Sequence, residues 1–311
     1  MTSVSLFQWG STVLLNASLA WMTGAFLARI WLASCSASWC GRAMGRLYFS
    51  VLYAAGICIV SSFCTLWAAT AVMSDSTLWD ARDSFRTMLS TTHYGRAGLC
   101  GLVALLGIGG ACLARNRLHD TRIVDFAAAA LLLVFAFTRV IVGHAAIKGM
   151  FGLDVWVEWL HLLLVSLWVG AVMVSGWMVL PRAAVLPKTE WRATAVFLVS
   201  LSLSATIALT GIVATGAYNA YRGLGTFDNL FGSVYGYVLT AKLGLVAVAV
   251  SLAGFNRFVG FPAVVVPDPQ QMPLQAGMRR LVFILRLESL VLLGALIAAA
   301  VLTGEAPPAS S

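Results

Sequence analysis

The stretch D-V-W-V-E-W-L-H-L-L-L-V-S-L-W-V-G-A-V-M-V-S-G-W-M-V-L-P-R, Asp154–Arg182, decides the fold. It contains an apolar run of about 20 residues, the length at which a helix crosses the hydrocarbon core of a bilayer. Glu158 and His161 lie three apart near its start and share one helical face, with Trp168 two turns further along that face. An ionisable side chain inside a membrane helix is unfavourable, and by default it marks a binding or transport path. His161 is therefore the residue from which function is read.

Outward from this stretch the chain keeps the same character. It is 60% hydrophobic and 10% charged, with a mean hydropathy of +0.89. Apolar runs at about 8–33, 47–73, 95–114, 123–143, 155–180, 193–219, 235–259 and 281–303 predict eight transmembrane helices in an all-α integral membrane protein. The connections after the odd-numbered helices hold twelve Lys and Arg, among them Arg29, Arg42, Arg46, Lys188 and Arg257; the opposite side holds four or five. By the positive-inside rule both termini face the periplasm, and the chain is a multi-pass protein of the bacterial inner membrane. The net charge of +8 belongs to this topology, and no nucleic-acid motif accompanies it.

A repeat divides the chain. F-R-T-M-L-S-T-T-H-Y-G-R from Phe85 leads into the third helix, which ends at Asn116-Arg117. F-D-N-L-F-G-S-V-Y-G-Y from Phe227 leads into the seventh, which ends at Asn256-Arg257. The reading is two parallel four-helix halves, 1–146 and 147–311.

On this topology His93 precedes the third helix, His144 follows the fourth, and His161 lies in the outer third of the fifth, so three of four histidines share one membrane level. His119 lies solvated in a cytoplasmic loop. Met73, Met88 and Met150 lie on the outer side too, with Asp75, Asp83, Asp154 and Glu158. Imidazole suits copper, zinc, iron and nickel, and nearby thioethers shift the preference towards Cu(I). Glu158 and His161 form a single E-x-x-H pair, where a di-iron bundle needs two; Glu158 is expected to support His161, by orienting its ring or as a ligand or proton acceptor.

Cys64 and Cys100, at similar depth, are either packing residues or an inward relay for Cu(I). The cysteines lie mostly in or beside apolar runs, which is not the spacing of a disulfide framework. Cys35 and Cys40 on the cytoplasmic side are read as a loose exit marker. Arg139 and Lys242 are interior charges with a structural or gating role, Lys242 answering Glu158 or a backbone carbonyl. The small residues of the sixth helix, including Gly211, Thr215 and Gly216, read as helix packing. No nucleophile–base pair, phosphate-binding loop or nucleotide motif is present, so neither an enzyme nor an ATP-driven pump is expected.

One ordered series of motifs adds to this. L-H-L-L-L-V-S-L-W-V-G-A at Leu160–Ala171, T-G-I-V-A-T-G-A-Y-N at Thr210–Asn219 and Y-G-Y-V-L-T-A-K-L at Tyr235–Leu243 are joined by G-H-A-A at Gly143–Ala146, Asn256-Arg257 and Pro307-Pro308. Over about 140–308 the chain resembles the CopD family of copper-resistance membrane proteins. The resemblance implies movement of copper from periplasm to cytoplasm, beside a CopC-type periplasmic copper-binding partner. It picks out His144 and His161 as metal residues, and His93 joins them by its place in the first half. Many relatives carry a histidine in the first helix where this chain has Asn16; Asn is a poor copper ligand, so three histidines are expected. Two alternatives stand beside this reading. One is an electron-transfer protein with a b-type haem between His144 and His161. The other is a membrane partner of a periplasmic copper chaperone that itself transports nothing.

Overall fold

The computed structural model describes residues 3–35, 37–114, 121–143, 146, 149–180, 191–265, 274–305 and 308. In chain order the helices are α1 (Ser3–Leu32), α2 (Ser38–Met73), α3 (Arg82–Thr91), α4 (His93–Ala114), α5 (Thr121–Val140), α6 (Leu153–Val174), α7 (Trp191–Leu224), α8 (Asn229–Gly232), α9 (Val234–Phe255), α10 (Phe261–Val265) and α11 (Leu274–Gly304). Single π turns at Ser175–Val179 and Asn256–Gly260 extend α6 and α9. Among the described residues eight helices are long and apolar enough to cross a membrane, and none of these residues forms a strand. The protein is an all-α integral membrane protein.

The eight spans match the eight apolar runs, with differences at the ends. At 1.5 Å per residue, the 34 residues of α7 reach about 51 Å, well beyond a hydrocarbon core of about 30 Å. Its last turn, with Tyr221 and Arg222, therefore projects past the run that ends near 219. The polar segment after α2, which none of the apolar runs covers, contains α3. That helix is amphipathic: Phe85 and Met88, three apart, are buried, while Arg82, Asp83 and Arg86 are exposed.

α1 is the centre of the packing. It lies along α2 and α6 and also touches α11, α7 and α5, so the first helix of the chain stands between the N-terminal and C-terminal helices. The approach to α6 is set by Gly24 and Gly170: a Cβ built on either would fall on the main chain of the other helix. Leu15, Leu19, Met22, Trp168, Phe197, Leu198 and Leu285 belong to one core around this contact. The outward faces carry apolar side chains such as Tyr53, Val103, Phe126 and Phe283, as lipid demands, while the backbone groups bond within the helices.

At the opposite end from α3, Arg29 of α1 pairs with Asp125 of α5 at 2.5 Å. Here one expectation is corrected. Cys35 and Cys40 form a disulfide, with Cα atoms 6.1 Å apart. The tight reversal from α1 into α2 brings the two together, which a count of spacings within apolar runs does not show. Cys58, Cys64 and Cys100 are free thiols.

Candidate metal centre

The best-organised polar group is built where the start of α6 meets the end of α7. Asp154, Glu158 and His161 recur at steps of four and three on α6; Gly211, Thr215, Tyr218 and Arg222 recur at steps of four, three and four on α7. Each set therefore forms a single stripe, and the stripes meet. Tyr218 Oη donates to Asp154 Oδ1 at 2.6 Å. Arg222 lies 3.6 Å from Asp154 Oδ2 and 3.8 Å from Glu158 Oε2. His161 Nδ1 is 2.9 Å from Thr215 Oγ1. Gly216 leaves room for the imidazole, since a Cβ there would approach His161 Cε1 to 3.2 Å. From α9, Lys242 stands in electrostatic range of Glu158 and His161.

The hydrogen bonds fix which histidine nitrogen is available. The Thr215 hydroxyl has one proton, and it donates this to the Gly211 carbonyl at 2.6 Å. Towards His161 it can then only accept, so Nδ1 carries the ring proton. Nε2 is left with its lone pair. This is how metal-binding histidines are prepared: an outer partner holds one nitrogen, and the other is free for the ion.

The remaining predicted residues are placed as follows. His93 is the exposed first residue of α4. Met73, at the end of α2, and Met88, on the buried face of α3, line one groove of about 440 Å³ with Asp83. Met150 is exposed in the turn before α6. Cys64 is half-buried on α2 and Cys100 exposed on α4. His144 lies outside the described residues. Among the described residues, no three His, Cys, Asp or Glu side chains gather as a metal-binding group. Asn16 accepts from Arg139 Nη2 at 3.4 Å, so it adjoins a half-buried guanidinium.

Two readings change. The ring of His161 is oriented by Thr215, whereas Glu158 pairs with Arg222; Thr215 and Gly216, read as packing residues, shape the site. A further interior acid was missed. Glu288 of α11 is 1% exposed and accepts from Trp168 Nε1 at 3.1 Å. The signal was present: Arg286 and Glu288 sit inside the run 281–303, where the rule applied to Arg139 and Lys242 holds equally.

Comparison with known families agrees with the architecture. The family model for the copper resistance protein D-like N-terminal domain matches residues 3–153, and that for copper resistance protein D matches residues 195–302. The helix carrying Glu158 and His161 falls between the two matched ranges. No curated protein and no solved structure gives a significant match. Eight membrane-spanning helices, matched in order by the N-terminal and C-terminal models of one family, identify the chain as a member of the CopD family of copper-resistance membrane proteins.

Proposed function

We propose that this protein binds copper ions at the periplasmic face of the bacterial inner membrane and carries them to the cytoplasm. The observation that carries the reading is the hydrogen-bonded chain Gly211–Thr215–His161, which presents Nε2 as a ready ligand at the outer end of α6. His93 and His144 are the further ligands in this proposal. Met73 and Met88 share a groove with Asp83, an arrangement suited to collecting a soft cation from water. Asp154 and Glu158 offset the positive charge of Arg222 and Lys242, so that a cation is not repelled at the mouth. A CopC-type protein is the proposed source of the ion on that face.

The test is metal content together with an absorption spectrum, on detergent-purified wild type and the His93/His144/His161→Ala variant. Copper that copurifies with the wild type and is lost from the variant supports the site. A Soret band lost with the same histidines would replace copper uptake by haem chemistry. In cells, His161→Ala is expected to lower copper accumulation at unchanged protein level; unchanged accumulation would remove His161 from the path.

A further inference from the structure

The outer site has no use for Glu288, which lies midway along α11. The carboxyl is almost wholly enclosed and accepts one hydrogen bond, from Trp168. Trp168 stands on the α6 face that carries Glu158 and His161, two turns deeper. One helix thus links the outer histidine to an acid in the membrane interior.

The charge around that acid is lopsided. α11 packs against α1, α6 with its π turn, α9 with its π turn, and α10. Their charged and titratable groups are Arg29 on α1, Asp154, Glu158 and His161 on α6, Tyr235, Tyr237 and Lys242 on α9, and Arg257 in the second π turn. Arg29 is held by Asp125 and Arg257 by Ser202 and Thr206. Lys242 lies within electrostatic range of Glu158. On α11 itself, Arg286 donates to the Gly176 carbonyl and lies over the Trp177 ring. Among the described residues no cation pairs with Glu288. A buried carboxylate without a countercharge is disfavoured so strongly that the group takes up a proton instead.

We propose that Glu288 is a proton-exchange site for the copper path. With the path empty the carboxyl holds a proton. When a cuprous ion moves inward past His161, the carboxyl releases that proton to water, and its carboxylate offsets the single charge of the metal. One positive charge enters as one leaves, no electron moves, and the proton returns when the metal departs. This rests on the copper-transport reading above and supplies its counter-ion.

The test uses full-length protein in proteoliposomes, with the membrane potential clamped by potassium and valinomycin. Silver(I) serves as a redox-inert stand-in for Cu(I). Silver uptake and internal pH are followed together, and the metal-free protein is studied by infrared spectroscopy in the carboxylic-acid C=O region. The wild type is expected to move one proton against each silver ion and to show a protonated-carboxyl band. Glu288→Gln keeps an oxygen acceptor for Trp168, so the fold is retained. It is expected to lose that band and to reduce proton counterflow to background. Silver uptake by the wild type without counterflow, or a wild-type spectrum in which no band is lost on Glu288→Gln, overturns the exchange and leaves transport standing. No silver uptake by the wild type overturns transport and the exchange together.

Discussion

Each half of the chain holds a half-buried guanidinium, Arg139 in the first and Arg222 in the second, and the two are answered differently. In the N-terminal half Arg139 has a neutral partner, Asn16, at 3.4 Å. It lines a small cavity with Ser62, Thr65, Tyr94 and Thr138. In the C-terminal half Arg222 sits between Asp154 and Glu158, and Lys242 lies within electrostatic range of Glu158. A guanidinium answered only by dipoles keeps its field, whereas one answered by carboxylates is largely cancelled. The contrast teaches that the field of a base is largely cancelled between α6 and α7 and stands uncancelled beside Asn16.

The largest effect is expected where the halves join. Gly170→Leu forces side-chain atoms into the backbone of α1, and overpacking of this kind destabilises by about 1–3 kcal/mol or more. A sharp loss of thermal stability in detergent is expected, while Gly56→Leu, which has open space beside it, should melt as wild type. Equal melting of both variants would mean that the halves do not lean on each other.

Next comes the support of the site. Thr215→Val keeps the shape but removes the acceptor for Nδ1, and loss of such a partner weakens metal affinity about 10–100-fold. Copper titration of the purified variant reads this directly; unchanged affinity would show that the tautomer is set elsewhere. Removing the acids, as Asp154→Asn with Glu158→Gln, should weaken copper binding by about tenfold, the equivalent of about 1.4 kcal/mol, and flatten the salt dependence of binding. The smallest effect is expected in the first half. Arg139→Met exchanges a half-buried charge for an apolar group, a change that is often neutral or stabilising, and copper affinity should not move. A fall in affinity with Arg139→Met would erase the contrast between the halves.

Much of the fold could be read from the residues, because a bilayer leaves few choices. A helix that must satisfy its own backbone across a fixed thickness announces itself as an apolar run, and all eight runs became helices. α3 was hidden because ten residues of mixed polarity meet no such length rule. The disulfide was hidden because it depends on how a hairpin closes, not on the character of the segments. For the site, His161 stood out as an ionisable group in a span. Its partner did not, since a threonine among small residues looks the same whether it packs or bonds. Glu288 was as legible as Arg139 and Lys242, an ionisable group within an apolar run, but its partner Trp168, 120 residues away in the chain, was not.

The meeting of Gly24 with Gly170 also has a consequence for how the protein is made. Synthesis runs at about 5–20 residues per second, so the roughly 146 residues between them take on the order of 7–30 s to emerge. Throughout that interval α1 lacks the surface that meets Gly24 in the finished bundle. The bundle can set around its central helix only after α6 arrives. The helix that brings His161 is thus also the one whose insertion lets the earlier helices take their final places.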